Sequence, residues 1–154
     1  MQHQHRECGE CTACCQGWVY GDIHFRNEIH EMKTGCACHF LRSGKCSIYE
    51  DRPETPCRQF KCGWLTRESP FPAEFRPDKL GVLIVLHVWR GRRSWILTTA
   101  GRDPSDELME FMRDYTRATG EPHLIKRPGK LLCYGSPLFQ QDMLELERCG
   151  KAPW

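Results

Sequence analysis

The residues of this sequence best placed to do chemistry are its cysteines. Nine of the 11 fall between residues 8 and 62: Cys8, Cys11, Cys14, Cys15, Cys36, Cys38, Cys46, Cys57 and Cys62. The first three follow C-x2-C-x2-C spacing. One loop can turn three such thiolates toward a single centre, as in ferredoxin-type iron–sulfur ligation, with a fourth thiolate from elsewhere. C-x2-C pairs are also the usual zinc clip, so the spacing leans toward an iron–sulfur cluster and leaves zinc open. Cys15 follows Cys14 directly. Successive side chains diverge, so the two thiols either serve different centres or one stands behind the other's ligand set. Cys38, Cys46, Cys57 and Cys62 are the partners expected from the far segment. A metal joining them to the first group would close long loops, where a cross-link removes most chain entropy.

Metal ligation rather than disulfide pairing is the expectation on three counts. The cysteines cluster, their number is odd, and the first eight residues lack the apolar run of a secretion signal. A reducing compartment, the cytoplasm, is therefore the expected location. His3 and His5 read as a polar chain end before they read as ligands.

Further blocks accompany the cysteines: Cys38-His-Phe-Leu41, the run from Gly44 through Cys46 and Tyr49 to Arg52-Pro53, and Cys57-Arg-Gln-Phe-Lys-Cys62. With the C-x2-C-x2-C-C opening, these four blocks in order resemble the CxxCxxCC, or YkgJ-like, cysteine-cluster family. That family is associated with zinc or iron chelation and includes the cysteine region of flagellin lysine-N-methylases. The likeness covers about residues 8 to 62 and extends more weakly from Gly63-Trp64 to Arg76-Pro-Asp78. It implies a metal centre on Cys8, Cys11, Cys14, Cys15, Cys38, Cys46, Cys57 and Cys62, with Cys36 additional. His39 stands where many members have proline, which permits a local nitrogen ligand or has no consequence. The resemblance does not fix a reaction: the methylases are linked to iron–sulfur-dependent methyl transfer, and this chain has no S-adenosylmethionine motif of its own. The implied cofactor is an iron–sulfur cluster first and zinc second. Redox or group-transfer chemistry is one reading, and a zinc-stapled interaction module without catalysis is the other. A metal chaperone or sensor with exchangeable thiolates is a third.

Arg52 and Arg58 lie inside the motif. Four thiolates around zinc carry a net charge of about −2, so donors behind the ligands are stabilising there. The plainer role is an ion pair with Glu50, Asp51 or Glu54. Tyr49 and Phe60 read as core aromatics. Elsewhere the catalytic motifs fail. His30-Glu31 lacks the second histidine of H-E-x-x-H, and neither a nucleophile elbow nor a glycine-rich phosphate loop is present. His87 reads as a satisfied core histidine, Cys133 as a small buried hydrophobe, and Cys149 as idle at a helix end. The basic turns Arg90–Arg93 and Lys126–Lys130 read as solvated hairpin tips before anion grips.

The elements that must position this chemistry are legible in outline. Net charge is +2, with 40% apolar and 27% charged residues, acids and bases mixed. Neither a nucleic-acid surface nor a membrane segment is expected, and room is left for a protein partner. Residues 1–66 read as a cysteine lobe, 67–79 as a proline-rich connector and 80–154 as an α+β lobe. The expectation is one compact unit: a metal-stapled loop lobe on a small antiparallel sheet with two helices. Residues 22–33 suggest a strand running into a short helix. Val82–Trp89 reads as a buried central strand, paired through Arg90–Arg93 with Ser94–Thr99. A helix capped by Asp103 with Pro104 at its first position follows, its apolar face being Leu108, Phe111, Met112 and Tyr115. A type II turn at Arg127–Lys130 suggests a second hairpin, and Ser136 caps a last helix. Val82, Ile84, Leu86, Ile96, Leu108, Phe111 and Met112 are the expected core.

Overall fold

The computed structural model describes residues 6–33, 35–127 and 129–151. His3, His5 and the i+1 position of the Arg127–Lys130 turn, Pro128, lie outside them. The fold is α+β, as expected. In chain order the elements are β1 (Gly21–Phe25), β2 (Glu28–Met32), β3 (Leu41–Arg42), β4 (Lys45–Cys46), a short α1 (Pro77–Leu80), β5 (Val82–Trp89), β6 (Arg92–Thr99), α2 (Asp106–Thr119), β7 (His123–Arg127), β8 (Lys130–Tyr134) and α3 (Pro137–Arg148).

The C-terminal half is a four-stranded sheet ordered β5-β6-β7-β8. Its hairpins are antiparallel, while β6 and β7 run parallel, a pairing not anticipated from sequence. A parallel pair needs a crossover, and α2 supplies it. One sheet face carries Ile84, Trp95, Leu97 and Ile125, which pack with Leu108 and Met112 of α2 and with Phe71 and Phe75 of the connector. The opposite face carries Ile96 and Leu124, which pack with Phe139 and Met143 of α3. Cover on both faces explains why β5 to β7 lack polar alternation.

Several expectations need correction. Residues 22–33 form a hairpin, not a strand and a helix. Arg26 and Asn27 take left-handed φ of 48° and 64°, and such a two-residue turn matches strand twist. Val82–Trp89 is an edge strand, because the α2 crossover places β6 and β7 in the middle. The second helix starts at Asp106, where Ser105 Oγ accepts from the Leu108 amide at 3.2 Å, so Ser105 and not Asp103 is the cap. Of the expected core, Leu86 and Phe111 are only half-buried. Ser136 does cap α3, accepting from the Phe139 amide at 3.3 Å.

The edge of β5 is where the cysteine half attaches. The Gly63 amide donates to Ile84 O at 2.5 Å. A Cβ on Gly63 would lie 3.0 Å from the Trp95 ring, 3.1 Å from Ile84 O and 3.2 Å from Phe71. Trp64 follows, buried, with its indole N–H donating to Pro72 O at 3.0 Å. Arg6 clamps the chain start to the same place, donating to Trp64 O at 3.0 Å and Phe71 O at 2.7 Å with its guanidinium over the Trp64 ring.

Two tests follow from this packing. Gly63→Ala adds a methyl where three neighbours leave no room, and Gly63 is not among the positive-φ glycines. A loss of about 1–3 kcal/mol in denaturant unfolding is expected from overpacking alone. The second concerns His123, which is fully buried and stacked on Tyr134, with Nδ1 2.7 Å from Thr116 Oγ1 and Nε2 without a partner among the described residues. Burial, then the charge of Arg113, lowers its pKa from 6.5 to about 4. As pH falls, the unfolded chain takes the proton first. Stability is therefore full above about pH 6.5 and declines toward pH 4, by up to about 3 kcal/mol. His123→Gln should flatten that slope, and an unchanged slope between pH 7.5 and 4.5 would show the group is not responsible.

Candidate metal centre

Four short segments carry the cysteines of the N-terminal half. Cys8 and Cys11 are joined by a turn in which the Cys11 amide donates to Cys8 O at 2.9 Å. Cys14 and Cys15 sit on one turn of 3-10 helix, Ala13–Gln16, closed by Gly17 at φ 102°. A side chain at Gly17 would meet the Cys36 backbone N at 2.9 Å, so the glycine lets the 35–38 segment lie against this turn. There the Cys38 amide donates to Cys15 O at 2.7 Å. Cys46 lies on the β3–β4 hairpin opposite Leu41. Cys57 belongs to a wide turn at Glu54–Arg58, and Cys62 immediately precedes the Gly63 joint.

These segments enclose a cavity of about 850 Å³. Cys8, Cys11, Cys14, Cys15, Cys38, Cys46, Cys57 and Cys62 all line it, while Cys36, Cys133 and Cys149 do not. Cys36 is exposed and Cys38 buried, two residues apart. Cys133 is half-buried on β8 behind α3, and Cys149 is exposed at the end of α3, its thiol 3.4 Å from Glu145 Oε1. The thiols surround the space rather than converge on one point. Among the described residues, no group of three or more His, Cys, Asp or Glu side chains is arranged to hold a metal ion as it stands.

Burial disfavours the thiolate form of Cys8, Cys38, Cys57 and Cys62. Burial pushes the Cys8 thiol up, with Cys62 and Cys11 adding repulsion. Burial likewise raises Cys57 to about 11, reinforced by Cys15, Cys38 and Cys46. Cys38 and Cys62 are raised for the same leading reason. Cys14 and Cys15 lie with sulfurs 3.9 Å apart. The hydrogen bond between them raises Cys14 and lowers Cys15 to about 7, with Arg52 also favouring the Cys15 thiolate.

Cations outnumber anions in the lining, with Arg6, Lys45, Arg52, Arg58 and Lys61 against Glu7 and Glu10. Arg52 lowers Cys8, Cys15 and Cys57 alike. It stacks on Tyr49, 3.8 Å from the ring centroid. Arg58 donates to Arg52 O at 2.9 Å and Glu50 O at 2.6 Å. Both arginines thus brace backbone carbonyls at the cavity rim instead of pairing with Glu50, Asp51 or Glu54. Tyr49 is exposed, not core, because it serves as the platform for Arg52. Phe60 is half-buried against the main core. His39 is exposed and stacked on His30 at 4.1 Å, outside the cavity lining.

Sequence reasoning missed several contributors. Leu83 of β5 forms part of the cavity wall. Arg76 is held by a bidentate ion pair with Asp78 at 2.6 Å and feels the charge of Cys11 and Glu10. The Arg76-Pro-Asp78 segment was a visible signal for the second. Leu83 had none, since its role depends on where the sheet edge lies. The Arg90–Arg93 hairpin tip is tied by ion pairs, Arg90 to Asp142 at 2.7 Å and Arg93 to Glu121 at 3.5 Å. No family model, curated protein or solved structure matches the chain.

Thiol reactivity checks this arrangement. In metal-free protein at pH 7.5, brief alkylation with peptide mapping should label exposed Cys36 and the ionisable Cys15 first. Cys38, Cys57 and Cys62 should lag by at least about tenfold, since the thiolate is the reactive form. Equal labelling of Cys36 and Cys38 would contradict the packing described.

Proposed function

We propose that this protein is a metal-binding protein whose centre is built from Cys8, Cys11, Cys14, Cys15, Cys38, Cys46, Cys57 and Cys62. One observation carries the reading: these eight of the 11 cysteines line one cavity, and the other three lie elsewhere. The donor set fits a soft or borderline cation. Desolvated thiols that repel one another as thiolates give up protons readily only to a cation, and the surplus of arginine and lysine suits the anionic centre that results. A χ1 change moves a cysteine sulfur by about 3 Å, so side-chain rotation changes which lining thiols face one another.

An iron–sulfur cluster is the leading occupant on the C-x2-C-x2-C spacing, and it would supply electron-transfer or group-transfer chemistry. The resemblance to the CxxCxxCC cysteine-cluster family points to zinc or iron without choosing. The second reading is zinc acting as a staple in an interaction module. It is favoured by the small apolar cluster beneath the cavity, where only Ile23, Cys38 and Phe40 are buried. Such a half needs another source of stability. Whether the protein is an enzyme rests on which occupant it holds. No helix among the described residues is long and apolar enough to cross a membrane.

Metal and acid-labile sulfide analysis of anaerobically purified protein separates the two. Iron with sulfide supports the cluster and tightly held zinc without sulfide supports the staple. Less than about one equivalent of either overturns the proposal. Cys57→Ser should lower metal content and destabilise the N-terminal half, because bound metal at such sites supplies on the order of 10 kcal/mol. Cys149→Ser should keep its metal and change stability by no more than about 0.5 kcal/mol. Cys38→Ser should lose metal where Cys36→Ser retains it, and the reverse result would move the ligand to Cys36.

A further inference from the structure

A second cavity, of about 780 Å³, shares no lining residue with the cysteine cavity. It lies at one end of the four-stranded sheet, where β5 turns into β6, α2 finishes, β8 finishes and α3 begins. Gly135 lets these elements meet. A Cβ there would lie 2.6 Å from Pro122 Cβ and 3.0 Å from the Phe139 ring. The missing side chain brings the end of β8 and the start of α3 against the segment that leaves α2.

Four arginines line this cavity: Arg90 and Arg92 from the hairpin, Arg113 and Arg117 from the last two turns of α2. Among the described residues, no aspartate or glutamate lines it. Asp142 pairs with Arg90 at 2.7 Å and Asp114 with Arg117 at 3.0 Å, both from outside the lining. Glu121 is taken up by Trp95 Nε1 at 2.9 Å, the Tyr115 hydroxyl at 2.8 Å and Arg93. Arg90 and Arg117 thus have plain roles, the latter also suiting the carboxyl end of α2. Arg92 and Arg113 have none: both are exposed, and neither side chain makes a hydrogen bond or ion pair among the described residues. A chain with net charge +2 and mixed acids and bases has no general excess of cations to explain four at one concavity. Gathered there, they repel one another and their field is focused on whatever enters. The start of α3 adds neutral donors to the same lining. Pro137 has no N–H, and Ser136 Oγ already accepts from the Phe139 amide at 3.3 Å. The Ser136 hydroxyl proton and the Leu138 amide are left to donate, and both residues line the cavity.

We infer that this cavity binds a small molecule carrying two or more phosphate groups, independently of the metal centre. Guanidinium matches phosphate through two parallel N–H···O bonds, and the two unpaired arginines stand on different elements, so each can take a phosphate of its own. The volume is that of a small-molecule site and exceeds what one free phosphate fills. Trp89 and Tyr134 also line it, offering apolar surface beside the cations. Both rings are held in place, Trp89 by its N–H donating to Asp142 at 2.8 Å and Tyr134 by stacking on His123. The shared chemistry is a diphosphate, either free or as part of a nucleotide. A nucleic-acid track is the weaker fit, because it needs a longer basic stripe than four residues gathered at one sheet end.

The test is calorimetric titration of the full chain, as purified, with inorganic phosphate, pyrophosphate, ADP and a single-stranded oligonucleotide. Pyrophosphate should bind once per chain and at least about tenfold tighter than inorganic phosphate, since it adds a second charge-assisted contact. Arg92→Gln and Arg113→Gln should each weaken pyrophosphate about tenfold or more. Arg67→Gln removes the same charge at an exposed position that lines neither cavity, and it should change affinity by less than about twofold. ADP binding tighter than pyrophosphate identifies a nucleotide, and equal binding identifies the free diphosphate; both support the site. A dissociation constant above about 1 mM for both overturns it. So does an equal loss in Arg67→Gln, which would reflect net charge alone. Binding that survives both cavity variants overturns it too, because the diphosphate would then be held elsewhere, as by a metal in the cysteine centre. An oligonucleotide that binds tighter than ADP and is weakened by the same two variants replaces the small molecule with a nucleic acid. Should either variant fail to fold, hydrogen exchange of the wild type decides. Pyrophosphate should slow amides within residues 113–120 and 133–140, and slowing confined to other segments overturns the site.

Discussion

The contact on which most of this structure depends is the approach of Gly63 to the edge of β5. Its amide satisfies Ile84 O, and its missing side chain leaves space that Trp95 and Phe71 close around. An edge strand otherwise exposes unpaired backbone groups, and here one of them is met by the cysteine half. The residue before the joint is a cavity thiol and the residue after it is a buried tryptophan. Arg6 bonds to the carbonyls of Trp64 and Phe71, so the chain start is anchored to the same few residues. The cavity is therefore joined to the sheet at Cys62-Gly63-Trp64, with Arg6 and Phe60 adding contacts to the same core.

From that attachment the two halves differ in how they are held. The sheet has apolar cover on both faces, with α2 and the connector on one and α3 on the other. Its cohesion is ordinary hydrophobic burial. The cysteine half has two-stranded hairpins and a three-residue buried cluster. Isolated hairpins of that kind are marginal in water. What it concentrates instead is partly buried thiols with guanidinium and ammonium groups beside them. Burial and mutual repulsion work against thiolates there, and cations work for them. A metal would turn the repulsive arrangement into the cohesive one, which is the physical link between the proposed function and the stability of this half.

Much of the fold could be read in advance because local chemistry decided it. The alternation of Leu108 and Met112, the Ser136-Pro137 start of α3 and the apolar run of β5 each depend on neighbours within a turn or two. Misreadings arose where distant packing decided. Val82–Trp89 has the composition of a central strand, yet strand order is a property of the whole sheet, and the α2 crossover moved β6 and β7 inside it. Residues 22–33 carry a mixed pattern that Arg26-Asn27 resolves into a hairpin by adopting φ values that few side chains favour.

The sequence by itself determined that nine cysteines crowd residues 8 to 62, since type and position are written in the chain. Tertiary structure decided that Cys8, Cys11, Cys14, Cys15, Cys38, Cys46, Cys57 and Cys62 meet around one cavity and that Cys36 does not line it. Spacing places Cys36 and Cys38 on the same side of an extended segment, so one dimension cannot choose between them. The choice was made in three: the missing side chain of Gly17 lets the segment approach, and the hydrogen bond from Cys38 to Cys15 turns one thiol inward and leaves the other in solvent. Likewise, adjacency of Cys14 and Cys15 is a fact of sequence, whereas the neighbours each one finds were set by how four short segments pack against the edge of a sheet.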